Sequence, residues 1–250
     1  MDPEFWLERW RTGRTGWHQA APHPFLTQGL FDDALAPGAG AASAADDARM
    51  GADTRTVDSG NGFGIRAARP RVFVPLCGAS VDMAWLRTRG YEVVGLDLSA
   101  DALRAFLDER GLAPRIERVG AFERFVAPGF ELYAGDFFAA DPQLLGRFGA
   151  VYDRAALVAL PAALRDRYAR TLAALCATAT RVALVAFEYD PARASGPPFP
   201  VWPDEIERLY STAFEIRCVA RVDVLADNPR LRERGLEALH ETGYVLVKRP

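Results

Sequence analysis

Apolar and polar positions alternate along most of this chain in a repeating strand–helix order. Phe5, Trp6 and Trp10 can share a helical face by i, i+4 spacing. A break follows at Thr12 to Gly16, then Trp17-His18-Gln19 and a Pro-containing loop. From about Ala34 to Ala68 the chain is rich in Ala, Gly and Asp without apolar periodicity. Such a stretch cannot bury enough surface to offset its ordering entropy, and a low-complexity insertion is expected there. Regular alternation then begins. Arg71 to Leu76 reads as a short apolar strand broken at Cys77-Gly78-Ala79. Ser80 caps a helix through Arg89, and Tyr91 to Asp97 is a second strand. Ser99 caps a helix from Ala100 to Arg110 that Gly111 ends. The stretch 115–127 is mixed, and Phe130 to Ala134 is a strand. Phe148 to Asp153 and Arg181 to Phe187 follow as strands, with helices predicted over 162–176 and 204–213. Glu215 to Val222 and Gly243 to Lys248 close the pattern as strands, the last of them antiparallel. Strands alternating with helices predict an α/β fold, a mostly parallel, doubly wound sheet covered on both faces. One domain over 1–250 is expected.

Composition changes this picture little. At 250 residues, 50% hydrophobic and 25% charged, the chain is an ordinary globular one. A net charge of −3 without clustered basic residues gives no footprint for nucleic acid. No apolar run approaches the ~20 residues of a membrane-spanning helix. The acidic, aromatic N-terminus reads as neither a signal nor a transit peptide. Cys77, Cys176 and Cys218 are far apart and lack metal-ligand spacing. No metal and no membrane partner are therefore expected, and a reduced cytoplasmic setting and a monomer are.

Ligands of open α/β sheets sit outside the carboxyl ends of the strands. Gly78, after the first strand, allows close backbone approach to a ligand. Asp97 ends the second strand 19 residues later, an offset at which a carboxylate can take both ribose hydroxyls. Gly135-Asp136-Phe137-Phe138 follows the third, where Asp136 can receive an adenine amino group while an aromatic packs on the ring. Asp153-Arg154 follows the fourth. Taken alone, Gly78 also serves a plain turn, and Asp97 a helix start. Together, in order, they favour a nucleoside-containing cofactor. The stretch Gly78 to Met83 has one glycine and places Asp82 in the first helical turn, which disfavours a pyrophosphate. S-adenosylmethionine keeps the adenosine without phosphate and fits better.

Several stretches carry a more specific resemblance. Phe5-Trp6-Leu7-Glu8-Arg9-Trp10, Gly16-Trp17-His18-Gln19, Val74-Pro75-Leu76-Cys77-Gly78, Asp153 to Pro161 and Gly196-Pro197-Pro198-Phe199 resemble thiopurine S-methyltransferases, particularly the bacterial ones. Glu205 to Tyr210 and Asp223-Val224-Leu225 extend the match, which spans nearly the whole chain apart from about 34–68. The resemblance implies a seven-stranded class I methyltransferase fold, with residues 1–30 folding over S-adenosylmethionine. It implies that Trp10 lies against the cofactor and that Leu76 contributes backbone near its methionine end. Asp97 takes the ribose position, where the family usually has Glu. Arg154 stands near cofactor and acceptor, Trp17 forms an aromatic wall between them, and Arg230 is a second substrate-side arginine.

Methyl transfer from a sulfonium is an in-line displacement in which the protein supplies orientation and electrostatics. Thiopurines and aromatic thiols ionise readily, so no strong base is needed. Arg154 suits the thiolate or an adjacent ring nitrogen; the alternative is an ion pair at a helix cap. Asp153 reads as a base or as the orienting partner of Arg154. Cys77 lacks a neighbouring histidine, and His18 reads as structural. The implied activity is methylation of a thiopurine or related small thiol. Other readings are methylation of another soft acceptor (halide, sulfide, selenium or tellurium species), a non-catalytic cofactor binder and a nicotinamide-dependent oxidoreductase.

Overall fold

The computed structural model describes residues 3–15, 19–35 and 69–250. Its first helices are α1 (Pro3–Arg11), α2 (Pro24–Thr27) and α3 (Asp32–Leu35). Ala34 and Leu35 are buried in α3, so the structured N-terminal part runs two residues past the expected start of the insertion. The rest of that insertion, from 36 to 68, lies outside the described residues.

The next stretch winds as the pattern predicts: β1 (Arg71–Pro75), α4 (Val81–Thr88), β2 (Glu92–Asp97), α5 (Ala100–Asp108). Ser80 Oγ accepts the Asp82 N–H at 3.2 Å and Ser99 Oγ the Ala102 N–H at 3.2 Å, so both predicted caps are made. α5 buries Leu103, Phe106 and Leu107, each worth about 1.5–3 kcal/mol over exposure. The mixed stretch is a hairpin of β3 (Arg115–Val119) and β4 (Phe122–Ala127), antiparallel to each other. β5 (Phe130–Ala134), α6 (Pro142–Leu145), β6 (Ala150–Arg154), α7 (Ala162–Leu175) and β7 (Arg181–Glu188) follow. α8 (Pro203–Tyr210), β8 (Phe214–Asp223), α9 (Pro229–Glu233) and β9 (His240–Lys248) complete the order.

One nine-stranded sheet runs β3-β4-β5-β2-β1-β6-β7-β9-β8. The pairs β5/β2, β2/β1, β1/β6 and β6/β7 are parallel, while β9 lies antiparallel to both β7 and β8. Seven of these strands are the ones expected. The hairpin corrects the count to nine by extending the edge beyond β5, with which β4 pairs antiparallel. Alternate side chains of β1 separate the core in two: Phe73 packs with α7 and α8, Val72 and Val74 with α2 to α5. Helices thus cover both faces. The chain leaves β1 toward β2 and β5, then returns to the other side at β6, so a crevice opens at the carboxyl ends of β1 and β6.

A buried polar cluster fastens the N-terminal segment to this sheet. The His23 N–H donates to Asp82 Oδ1 at 2.8 Å, and the Tyr152 hydroxyl donates to Asp82 Oδ2 at 3.1 Å. His23 Nδ1 accepts the Phe25 N–H at 3.2 Å, which puts the ring proton on Nε2, 3.1 Å from Glu241 Oε2. All four polar residues are buried, so their mutual bonds replace water.

Candidate active site

A cavity of about 1220 Å³ opens over the carboxyl ends of β2, β1, β6 and β7. Its walls bring together Trp10, Leu76, Gly78, Asp97, Asp136, Arg154 and Arg230, all named from the sequence. Trp17 lies outside the described residues, as does His18.

β1 ends in a sharp turn that shapes the centre of the cavity. Leu76 has φ +46°, a left-handed conformation unusual for a branched side chain, and Gly78 has φ +50°. A Cβ on Gly78 would lie 2.8 Å from Cζ2 of Trp10. Glycine therefore serves both the backbone angle and the closeness of the indole. The turn is tied to β2 by Asp97, whose Oδ2 accepts the Gly78 N–H at 2.8 Å and whose Oδ1 accepts the Ser99 N–H at 2.8 Å. Burial pushes the Asp97 carboxyl up to about 6, against the pull of those amides. A carboxylate has about four acceptor sites, and with the Leu98 amide also bonded to it about one remains. Asp136 is exposed just past the end of β5, beside Asp97, and its Oδ1 caps the turn Phe137–Ala139 through the Phe138 N–H at 2.9 Å.

β6 delivers Arg154 to the cavity, half-buried. Among the described residues it makes no ion pair, so neither the helix-cap pairing nor an orienting bond from Asp153 is present. Asp153 instead faces α7 and the short turn Leu157–Ala159. It is fully buried, and accepts the Tyr168 hydroxyl at 2.6 Å and the Leu157 N–H at 3.2 Å. Asp153 and Arg154 are successive residues of β6, so their side chains leave the strand on opposite faces, and Ala155 at φ +68° then turns the chain.

One further expectation changes. Asp82 is absent from the cavity wall, its carboxylate being engaged by His23 and Tyr152. The case against a pyrophosphate thus rests on the missing glycines alone. Cys77 reaches the wall, but burial raises its thiol well above the ordinary value, which removes it as a nucleophile. Sequence reasoning missed Phe5, Arg9, Arg167, Arg193 and Arg234, which also line the cavity, beside Phe138. The Arg167 guanidinium lies 4.2 Å over the Phe138 ring. Nothing local marks these residues, because the folded sheet alone brings their segments together.

Residues 65–249 match the model of the family described as Thiopurine S-methyltransferase (TPMT). The chain belongs to this family. It is 38% identical over 247 residues to Thiopurine S-methyltransferase of Methylococcus capsulatus, covering 98% of this chain and 97% of that one. It is 38% identical over 249 residues to that of Nitrosospira multiformis, covering 100% and 99%. Among solved structures, Burkholderia thailandensis 1,6-didemethyltoxoflavin-N1-methyltransferase, with bound 1,6-didemethyltoxoflavin and S-adenosylhomocysteine, aligns with a TM-score of 0.53. At 16% identity, over 99% of this chain and 87% of that one, the likeness shows the shared fold. By family and by fold, this member is an S-adenosylmethionine-dependent methyltransferase of class I. The residues present suit that cofactor: a glycine where a Cβ would collide, a buried carboxylate with an acceptor site to spare, and an indole beside the glycine.

Proposed function

We propose that this chain methylates the sulfur of a thiopurine or a related small thiol, working as a cytoplasmic monomer. The observation that carries the reading is the placement of Arg154 on the wall of the same cavity as Asp97, Gly78 and Trp10. S-adenosylmethionine, when bound, supplies an electrophilic methyl group. Asp97 receives ribose hydroxyls, Leu76 presents its backbone toward the methionine end, and Asp136 receives the adenine amino group. Trp10 and the N-terminal segment, residues 1–30, cover this side and exclude water. Arg154 faces the acceptor as a permanent cation with several donors, so it holds a thiolate or an adjacent ring nitrogen. Arg230 completes the acceptor side. No residue needs to act as a strong base, since the positive wall favours the ionised thiol.

The test is methyl transfer from labelled S-adenosylmethionine to 6-mercaptopurine, with selenite and iodide in parallel. Transfer to the thiopurine is expected. Transfer to selenite or iodide alone would move the acceptor class, and cofactor binding without any transfer would leave a non-catalytic binder.

A further inference from the structure

Among the described residues the Arg154 side chain has neither an ion pair nor a hydrogen bond. Its direction into the cavity is therefore set by its backbone, at the carboxyl tip of β6. The sheet holds that tip on one flank only. With β7 the register runs on to Arg154, whereas with β1 it covers Ala150 and Val151 alone. Ala155, the next residue, stands at φ +68°. A residue with a Cβ keeps that left-handed conformation only where its surroundings impose it.

The Asp153 carboxylate supplies the missing hold. It leaves β6 on the face opposite Arg154, and each of its oxygens takes a donor from a different element. Oδ1 accepts the Leu157 N–H at 3.2 Å, and Oδ2 accepts the Tyr168 hydroxyl of α7 at 2.6 Å. One side chain thus ties the residue before Arg154 both to a helix and to the turn that follows. Tyr168 is itself fixed, since it is fully buried and its ring packs on Phe137. Among the described residues that line the cavity, Tyr168 is present and Asp153 is not.

Resting on the reading above, we propose that Asp153 and Tyr168 are positioning residues for methyl transfer, their hydrogen bond aiming the Arg154 guanidinium at the acceptor. Asp153 does this through shape rather than charge. In Asp153→Asn the side-chain oxygen can still accept the Leu157 N–H. Its nitrogen can donate to the Tyr168 oxygen, because a hydroxyl both donates and accepts. The clamp then survives without a carboxylate, which separates it from the role of a base.

Tyr168→Phe keeps the ring on Phe137 and removes the tie. Its kcat/KM for 6-mercaptopurine should fall about ten-fold, since small misplacements near the reacting atoms are costly. Asp153→Asn should keep most of the turnover. In an Arg154→Ala background, Tyr168→Phe should cost nothing further, because no guanidinium is left to aim. A second readout needs no acceptor: arginine labelling by phenylglyoxal, followed by peptide mass spectrometry. Tyr168→Phe should quicken labelling of Arg154 several-fold and leave that of Arg165 unchanged. Arg165 is buried on α7, paired with Glu205 at 2.6 Å, and would react faster if the helix merely loosened. Equal losses with and without Arg154, inactivity of Asp153→Asn, or equal quickening at both arginines would overturn the proposal. Quickening confined to Arg154, with no thiol methylated even by the parent, would uphold the clamp and sink the methyl-transfer reading. Parental labelling and parental turnover in Tyr168→Phe would sink the clamp and leave that reading standing.

Discussion

The Asp153 carboxylate accepts the Tyr168 hydroxyl at 2.6 Å, wholly out of solvent, while the next residue in the chain turns its guanidinium to the cavity. The pair joins the end of β6 to α7. Tyr168 also lines the cavity and packs on Phe137, ring centroids 4.8 Å apart.

Burial lifts the Asp153 carboxyl from the ordinary 3.8 to about 6. Between these values the folded chain holds a proton that the unfolded chain has released. This group's contribution to stability is then greatest at the acidic end of the window and is lost as pH rises through about 6. Asp153→Asn keeps the shape and removes the charge. Relative to the variant, the parent should lose on the order of 2 kcal/mol between the two ends of the window, read from urea midpoints. A parent–variant difference that stays constant with pH would show that Asp153 titrates alike in both states.

Gly78→Ala should strain a left-handed backbone and push the Trp10 indole aside, since the added carbon would come within 2.8 Å of it. A stability cost of about 1 kcal/mol is expected from the backbone alone. Affinity for S-adenosylhomocysteine should fall about ten-fold or more, because the turn and the indole both flank its place. Wild-type affinity in calorimetry would mean that the cofactor does not approach this turn.

Asp97→Ala and Arg154→Ala should separate binding from transfer. The first leaves the Gly78 and Ser99 amides without their acceptor, a loss of about 1–3 kcal/mol for each buried donor, and should weaken cofactor binding. The second should lower kcat/KM for the thiol about a hundred-fold, with a smaller change in cofactor affinity. Unchanged cofactor affinity in the first variant would remove Asp97 from the site. Full turnover in the second would make Arg154 structural.

What was legible in the chain follows from how local each signal is. The caps of α4 and α5 need only Ser80 and Ser99 and the residues beside them. β1 and β2 are buried on both faces and read as apolar runs. β3 gave no such signal because it is an edge strand with mostly exposed or half-buried side chains, Ile116 among them. Its polar positions are instead held by ion pairs such as Arg124 Nη1 to Glu117 Oε1 at 2.6 Å. Gly78, Asp97 and Arg154 were legible as candidates because each ends a strand. Arg193 lies in a loop and Arg234 just past the short helix α9, and their shared cavity exists only once the sheet is assembled. Asp153 was misjudged for a related reason: adjacency to Arg154 suggested a pair, but neighbours on a strand point to opposite faces.

The hydrogen bond between His23 and Glu241 spans 218 residues of chain. A ribosome delivers the first of these residues long before the second, and β9 must be laid beside β7 before the imidazole finds its carboxylate. Over that interval the segment bearing Trp10 lacks this fastening and is held by contacts such as the His23–Asp82 bond. The first and last parts of the molecule thus lock together only once the final strand is in place.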